Sequence, residues 1–173
     1  MEAHFSVVDT IAGVPTAAEL AAYDTVLVYN NGGHSNPAGL GDVLADFFDA
    51  NGHVVEALYG TANQGSMAGR WASGGYRLLS GPYSSSALAL DAIAEPASPL
   101  MVDINTFTAT RSVNGTAING GIVVASYDNG TPIVVRGTKN GRNRVDIGMF
   151  PGGCSGPYWT GDGFELIRNA LRF

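Results

Sequence analysis

The sequence predicts an α/β domain: a mainly parallel sheet between two helix layers, with an antiparallel hairpin addition in its second half. Three observations carry that prediction. Tyr23 to Tyr59 alternates apolar runs and one amphipathic stretch in the order strand, loop, helix, strand. Asp128-Asn129-Gly130 and Lys139-Asn140-Gly141 sit between short β-rich segments, where such triplets mark hairpins. Hydrophobic residues make up 45% of the 173 residues and charged ones 14%, which suits one folded core spanning 1–173.

The elements follow in order. His4 to Asp9 (HFSVVD) reads as a strand. Pro15-Thr16 opens a short helix, TAAELAAY, rich in Ala and Leu. TVLVY is an apolar, β-branched run of the kind buried on both faces. Asn36 suits a helix cap and Pro37 the first helical position. Leu40, Val43, Leu44, Phe47 and Phe48 then form one apolar stripe, and Asn51-Gly52 supplies a left-handed stop. HVVEALY is the next strand. Residues 60–75 read as a long loop carrying Gly69-Arg70-Trp71, followed by a short strand, YRLLS. Ser84 to Ala94 reads as a helix, and LMVDI after Pro99 as a strand. TFTATRSV, GGIVVASY, TPIVVRGT and NRVDIGMF read as short strands. A helix from Asp162 to Leu171 closes the chain, with Phe164, Leu166, Ile167, Ala170 and Leu171 inward.

The bulk numbers exclude several functions. A net charge of −6 and a single lysine, Lys139, argue against a nucleic-acid groove. Arg142 and Arg144 form the one basic cluster, read as a solvated hairpin end. One cysteine, Cys154, excludes an intrachain disulfide and a cysteine-based zinc site. No apolar run approaches a membrane span of about 18–20 residues. His4 and His53 stand at strand starts, away from His34, so no metal site and no cofactor are expected. Few lysines, many small polar residues and an acidic balance suggest an exported bacterial domain. The expected location is extracellular or at the cell surface, with a leader and neighbouring domains outside these residues.

Ligands of open α/β sheets gather at the carboxyl ends of the strands. The loop Asn30-Asn31-Gly32-Gly33-His34-Ser35 occupies such an end. His34 is a candidate general base, with Ser35, Asn30 and Asn31 as hydrogen-bonding groups and Asp9 or Asp162 as its orienter. Cys154 sits in Gly152-Gly153-Cys154-Ser155-Gly156, a nucleophile-elbow pattern, although Pro157-Tyr158-Trp159 delay the following helix. Asp9, Asp103 and Asp162 could converge on the carboxyl edge as calcium ligands, but no calcium-loop spacing supports them. Arg70, Trp71 and Trp159, with Tyr59, Tyr83 and Tyr158, could form an aromatic shelf for a small molecule or glycan. The plainer alternative is that these rings close the core. Ser84-Ser85-Ser86 could hold an anion, although a helix cap explains the run as well.

Pro15-Thr16, Tyr23-Asp24, Asn36-Pro37, Leu44-Ala45-Asp46, Gly52, Gly69-Arg70-Trp71, Trp159 to Gly163 and Asn169-Ala170-Leu171 carry a family resemblance. In that order the chain resembles the class I glutamine amidotransferase-like domains of flavodoxin-like, three-layer fold, nearest to the ThuA-like exported branch. The resemblance implies a cysteine on a tight turn after one strand and a histidine after a later one. Here HVVEALY runs into Gly60-Thr61-Ala62-Asn63, and DIGMF into Pro151-Gly152-Gly153. Both positions lack the family's residue. The expectation is therefore a non-catalytic binding or scaffold domain. A hydrolase of esters, lactones or amides, rebuilt from Cys154 or Ser35 with His34, is the alternative, and a carbohydrate-binding module a third.

Overall fold

The computed structural model describes residues 6–58, 61, 66–152 and 158–173. Its centre is a curled, mixed sheet. The strands are β1 (Thr25–Val28), β2 (His53–Ala57), β3 (Leu79–Ser80), β4 (Tyr83–Ser84), β5 (Leu88–Ile93), β6 (Phe107–Ala109), β7 (Ser112–Val113), β8 (Thr116–Ala117), β9 (Ile122–Tyr127), β10 (Pro132–Lys139), β11 (Arg142–Ile147) and β12 (Trp159–Gly161). The helices are α1 (Ala17–Leu20), α2 (Pro37–Asp49), α3 (Gly69–Ser73) and α4 (Gly163–Arg172), with one 3₁₀ turn at Pro99–Met101.

Eight strands form the main sheet in the order β1-β2-β11-β10-β9-β5-β6-β12, and β3–β8 and β4–β7 make two small ribbons. Among the described residues only β1–β2 and β2–β11 pair in parallel within that sheet; its other ladders are antiparallel. The expectation of a mainly parallel sheet is thus corrected. The hairpin triplets tie β9, β10 and β11 into a local meander, and β5, β6 and β12 extend it through antiparallel ladders, β12 reaching the far edge only after the chain leaves β11.

The local signals around α2 act as read. Asn36 Oδ1 accepts from Gly39 N at 2.9 Å, and Pro37 takes the first turn. Leu40, Leu44, Ala45, Phe47 and Phe48 are buried against Val54, Trp71 and Tyr76. The left-handed residue at the stop is Asn51, with φ 81°. Gly52 is required for another reason: a Cβ there would lie 2.3 Å from the Phe47 ring. On the other face, Leu166 and Ala170 of α4 join the largest core cluster, with Val55, Val145, Ile147, Phe107 and Tyr127.

Several expectations fail for physical reasons. Ser84 to Ala94 is not a helix: Leu88–Ile93 hydrogen-bonds as a strand between β9 and β6, and pairing overrides Ala and Leu helix propensity. LMVDI is the 3₁₀ turn followed by Asp103 at φ 60°, a backbone incompatible with a strand. Residues 6–9 form no strand, leaving Val7 and Val8 exposed. Gly69-Arg70-Trp71 begins α3 rather than lying in a loop. Phe164 points outward, 73% exposed, with its ring edge on Trp159. Arg144, read as solvated, is fully buried. No helix among the described residues is long and apolar enough to cross a membrane.

Candidate functional site

The parallel strands β1, β2 and β11 end on the same side of the sheet. After β1 the chain turns through Asn30, whose buried Oδ1 accepts from Gly32 N at 2.7 Å and Gly33 N at 2.5 Å. Gly33 needs its φ of 102° to complete that turn. Asn31 is exposed. His34 turns inward and is 8% exposed. Its Nδ1 lies 2.8 Å from Thr10 Oγ1, while its Nε2 is buried and meets no hydrogen-bond partner among the described residues. Ser35 is held by two bonds, its N and Oγ both donating to Thr10 O at 3.0 Å.

Burial lowers the His34 pKa below its ordinary value, and the Glu56 carboxylate opposes that shift more weakly. The neutral ring therefore contributes stability above about pH 6.5, and that stability is lost as pH falls and the opened chain takes up the proton. Hydrogen exchange at Gly32, Gly33 and Ser35, corrected for intrinsic rates, should accelerate between about pH 7.5 and 5.5. His34→Asn should flatten the change. Protection that stays constant with pH in the unsubstituted protein would refute this.

Beneath the same edge lies a buried charge cluster that the sequence reading missed. Glu56 and Asp146 are register partners of β2 and β11, so both project on one face. Glu56 accepts from Trp71 Nε1 at 2.6 Å and Arg77 Nε at 3.0 Å. Arg77 also donates to Met67 O at 3.0 Å. Asp146 accepts from Leu78 N at 2.6 Å, Leu79 N at 3.0 Å and Arg144 Nη2 at 2.5 Å. Arg144 donates further to Tyr76 O at 2.9 Å and to Val54 O, and its guanidinium lies 4.6 Å from the Trp71 ring. Burial pushes the Asp146 carboxyl up to about 6, with Glu56 adding to the rise while Arg144 and the two backbone N–H groups oppose it. Two carboxylates and two guanidiniums thus pin segment 76–79 and α3 to the sheet. A signal for them exists: each acid interrupts an apolar strand run, HVVEALY or RVDIGMF.

The remaining candidates scatter. Asp9 is exposed and accepts from Ile11 N at 2.9 Å, while His34 takes Thr10 as its partner. Asp162 accepts from Asn105 N at 2.7 Å and Thr106 N at 2.8 Å, bonds that hold its carboxyl below the usual range. It makes no side-chain cap to α4. Among the described residues no group of three His, Cys, Asp or Glu side chains could hold a metal. Arg70 is tied to Asp46 and Asp49 of α2. Trp71 is fully buried, and Trp159 is 7% exposed with Nε1 donating to Pro151 O at 3.2 Å. These two rings close the core and form no shelf. Cys154, Tyr59, Gly60, Ala62 and Asn63 lie outside the described residues.

Aromatic surface does gather at this edge, around a different arginine. Tyr29, 40% exposed, meets Phe150 edge-on at 5.6 Å, and Phe150 meets Tyr158 at 5.7 Å. The Arg111 guanidinium lies 4.9 Å from the Tyr158 ring centroid and 5.4 Å from that of Tyr83.

No protein-family model matches this sequence, and no curated protein matches it. Solved structures do. The chain is similar to a cytoplasmic protein, STM3548, from Salmonella typhimurium, with a TM-score of 0.65 and 13% identity over 95% of this chain and 77% of that one. It is also similar to the mmIFT52 N-terminal domain, with a TM-score of 0.53 and 13% identity over 78% of this chain and 69% of that one. At such identity the likeness concerns the α/β fold alone.

Proposed function

We propose that this chain is an amidotransferase-like domain of flavodoxin-like fold that binds or scaffolds rather than catalyses, within an exported bacterial protein. The observation that carries the reading is how the polar groups at the carboxyl edge are engaged. Asn30 closes its own turn, Ser35 is held by Thr10, and Glu56 is held by Trp71 and Arg77. Gly60-Thr61 stands where the resembled family keeps a cysteine. A nucleophile needs a base within about 3 Å, directly or through one water. Ser35 Oγ instead donates to Thr10 O, and the His34 Nδ1 faces Thr10.

The alternative, a rebuilt hydrolase using Cys154 and His34, rests on the unpartnered Nε2 of His34. One assay separates the two. The purified chain is offered glutamine, p-nitrophenyl esters and a lactone. Turnover should not exceed the buffer rate. Turnover that disappears in His34→Ala or Cys154→Ala would overturn the non-catalytic reading and establish the hydrolase.

A further inference from the structure

We infer that Arg111 is the anion-recognising centre of a binding site for a small organic carboxylate. The inference rests on the binding-domain reading above and names its ligand class. Five of the other arginines face carboxylates: Arg70, Arg77, Arg136, Arg144 and Arg168. Arg142 donates to Gly52 O. Arg111 is half-buried and, among the described residues, its guanidinium meets only the rings of Tyr83 and Tyr158. Arg142 and Lys139 also face no acid, but each donates to a backbone carbonyl, whereas Arg111 is held by rings alone among the described residues.

The backbone fixes its position. Phe150 N donates to Arg111 O at 3.2 Å, Thr110 N to Tyr158 O at 2.8 Å, and Ser112 bridges Met149. Arg111 therefore stands beside the exit of β11, at the carboxyl edge of the parallel strands. The rings restrict the rotamers of a long side chain, so ordering it costs less when a ligand arrives. The ring contacts engage none of the guanidinium N–H groups in a hydrogen bond, and their fork matches the two oxygens of a carboxylate. The body of the ligand would lie on the Tyr83 and Tyr158 rings, and Tyr29 stands beyond the buried Phe150 ring.

The test is an NMR titration of the whole chain at constant ionic strength, following the Arg111 Nε–H and the Tyr83 and Tyr158 ring signals. The probes are benzoate, glucuronate, glucose and inorganic phosphate. Benzoate and glucuronate should give saturable shifts at those groups, and glucose none. Arg111→Met should weaken carboxylate binding by roughly tenfold or more, the loss of a charge-assisted pair, with the β11 amide spectrum unchanged. Arg111→Lys should fall between. Three outcomes overturn the proposal: no saturable carboxylate shift in the unsubstituted protein, a response to phosphate equal to that of the carboxylates, or unaltered binding by Arg111→Met. Saturable carboxylate binding together with ester or lactone turnover in the assay above would support this site while refuting the non-catalytic reading. Absence of both would refute this site alone.

Discussion

Replacing Arg144 with alanine should remove about 3–5 kcal/mol of unfolding free energy, the range seen when one partner of a buried ion pair is deleted. Against a domain stability of about 5–15 kcal/mol, that leaves a marginal fold. The loss has identifiable parts. Asp146 would keep its two backbone donors but lose its counter-charge, and Tyr76 O and Val54 O would each lose a donor. The packing of the guanidinium on Trp71 would go too. The deficit should also depend on pH. Arg144 holds the Asp146 carboxyl down, so without it the carboxyl rises further above its present value of about 6. A protonated Asp146 needs no counter-charge, so the variant's deficit should be smaller at about pH 5 than at about pH 8. Urea denaturation at both values measures this. Replacing Arg144 and Asp146 together by apolar residues of similar size should recover much of the loss. A deficit below about 1 kcal/mol, in the range of surface pairs, would show that the pair is not the fastener described.

Trp71→Ala should cost about 3–5 kcal/mol, the usual penalty for emptying a large buried aromatic site. The indole is fully buried, stacked on Tyr76 at 5.2 Å with an interplanar angle of 17°, and it bonds Glu56. Trp71→Phe separates packing from polarity. It keeps most of the ring volume but takes the 2.6 Å donor from a buried carboxylate, a deletion worth about 1–3 kcal/mol. Chemical denaturation should therefore order the proteins as unsubstituted, Phe, Ala. Equal stability of the Phe variant and the unsubstituted protein would mean that the indole N–H contributes nothing to holding Glu56.

Local chemistry was the readable part of this chain. Asn36-Pro37 set the start of α2, and the Asn-Gly turns set the hairpins, because each effect operates within a few residues. What depends on distant partners was not readable. Ala and Leu in 87–90 favour helix, yet β9 and β6 claim that segment as strand. Arg144 lies next to a turn and alternates with polar residues, which resembles a surface hairpin. Only the neighbouring β2 and the overlying α3 region make its position interior. His34 and Asn30 were found because they end a strand. Arg111 was not, since it sits between strands of two and three residues with no motif of its own. Tyr83 and Tyr158 were recognised as candidate surface, but the arginine assigned to them was Arg70, which α2 holds elsewhere.

The sheet order has a consequence for synthesis on the ribosome. β1 and β2 are made first, but β2 reaches the rest of the sheet only through β11, about ninety residues later in the chain. Until residue 147 has emerged, the growing chain carries a parallel pair whose inner strand has an open edge, and Glu56 stands there without Arg77 until that residue too is added. The meander from β9 to β11, whose pairings are local, can close soon after it emerges. Pairing that is local in sequence favours early closure of that meander, whereas β2 gains its second neighbour only once β11 is available.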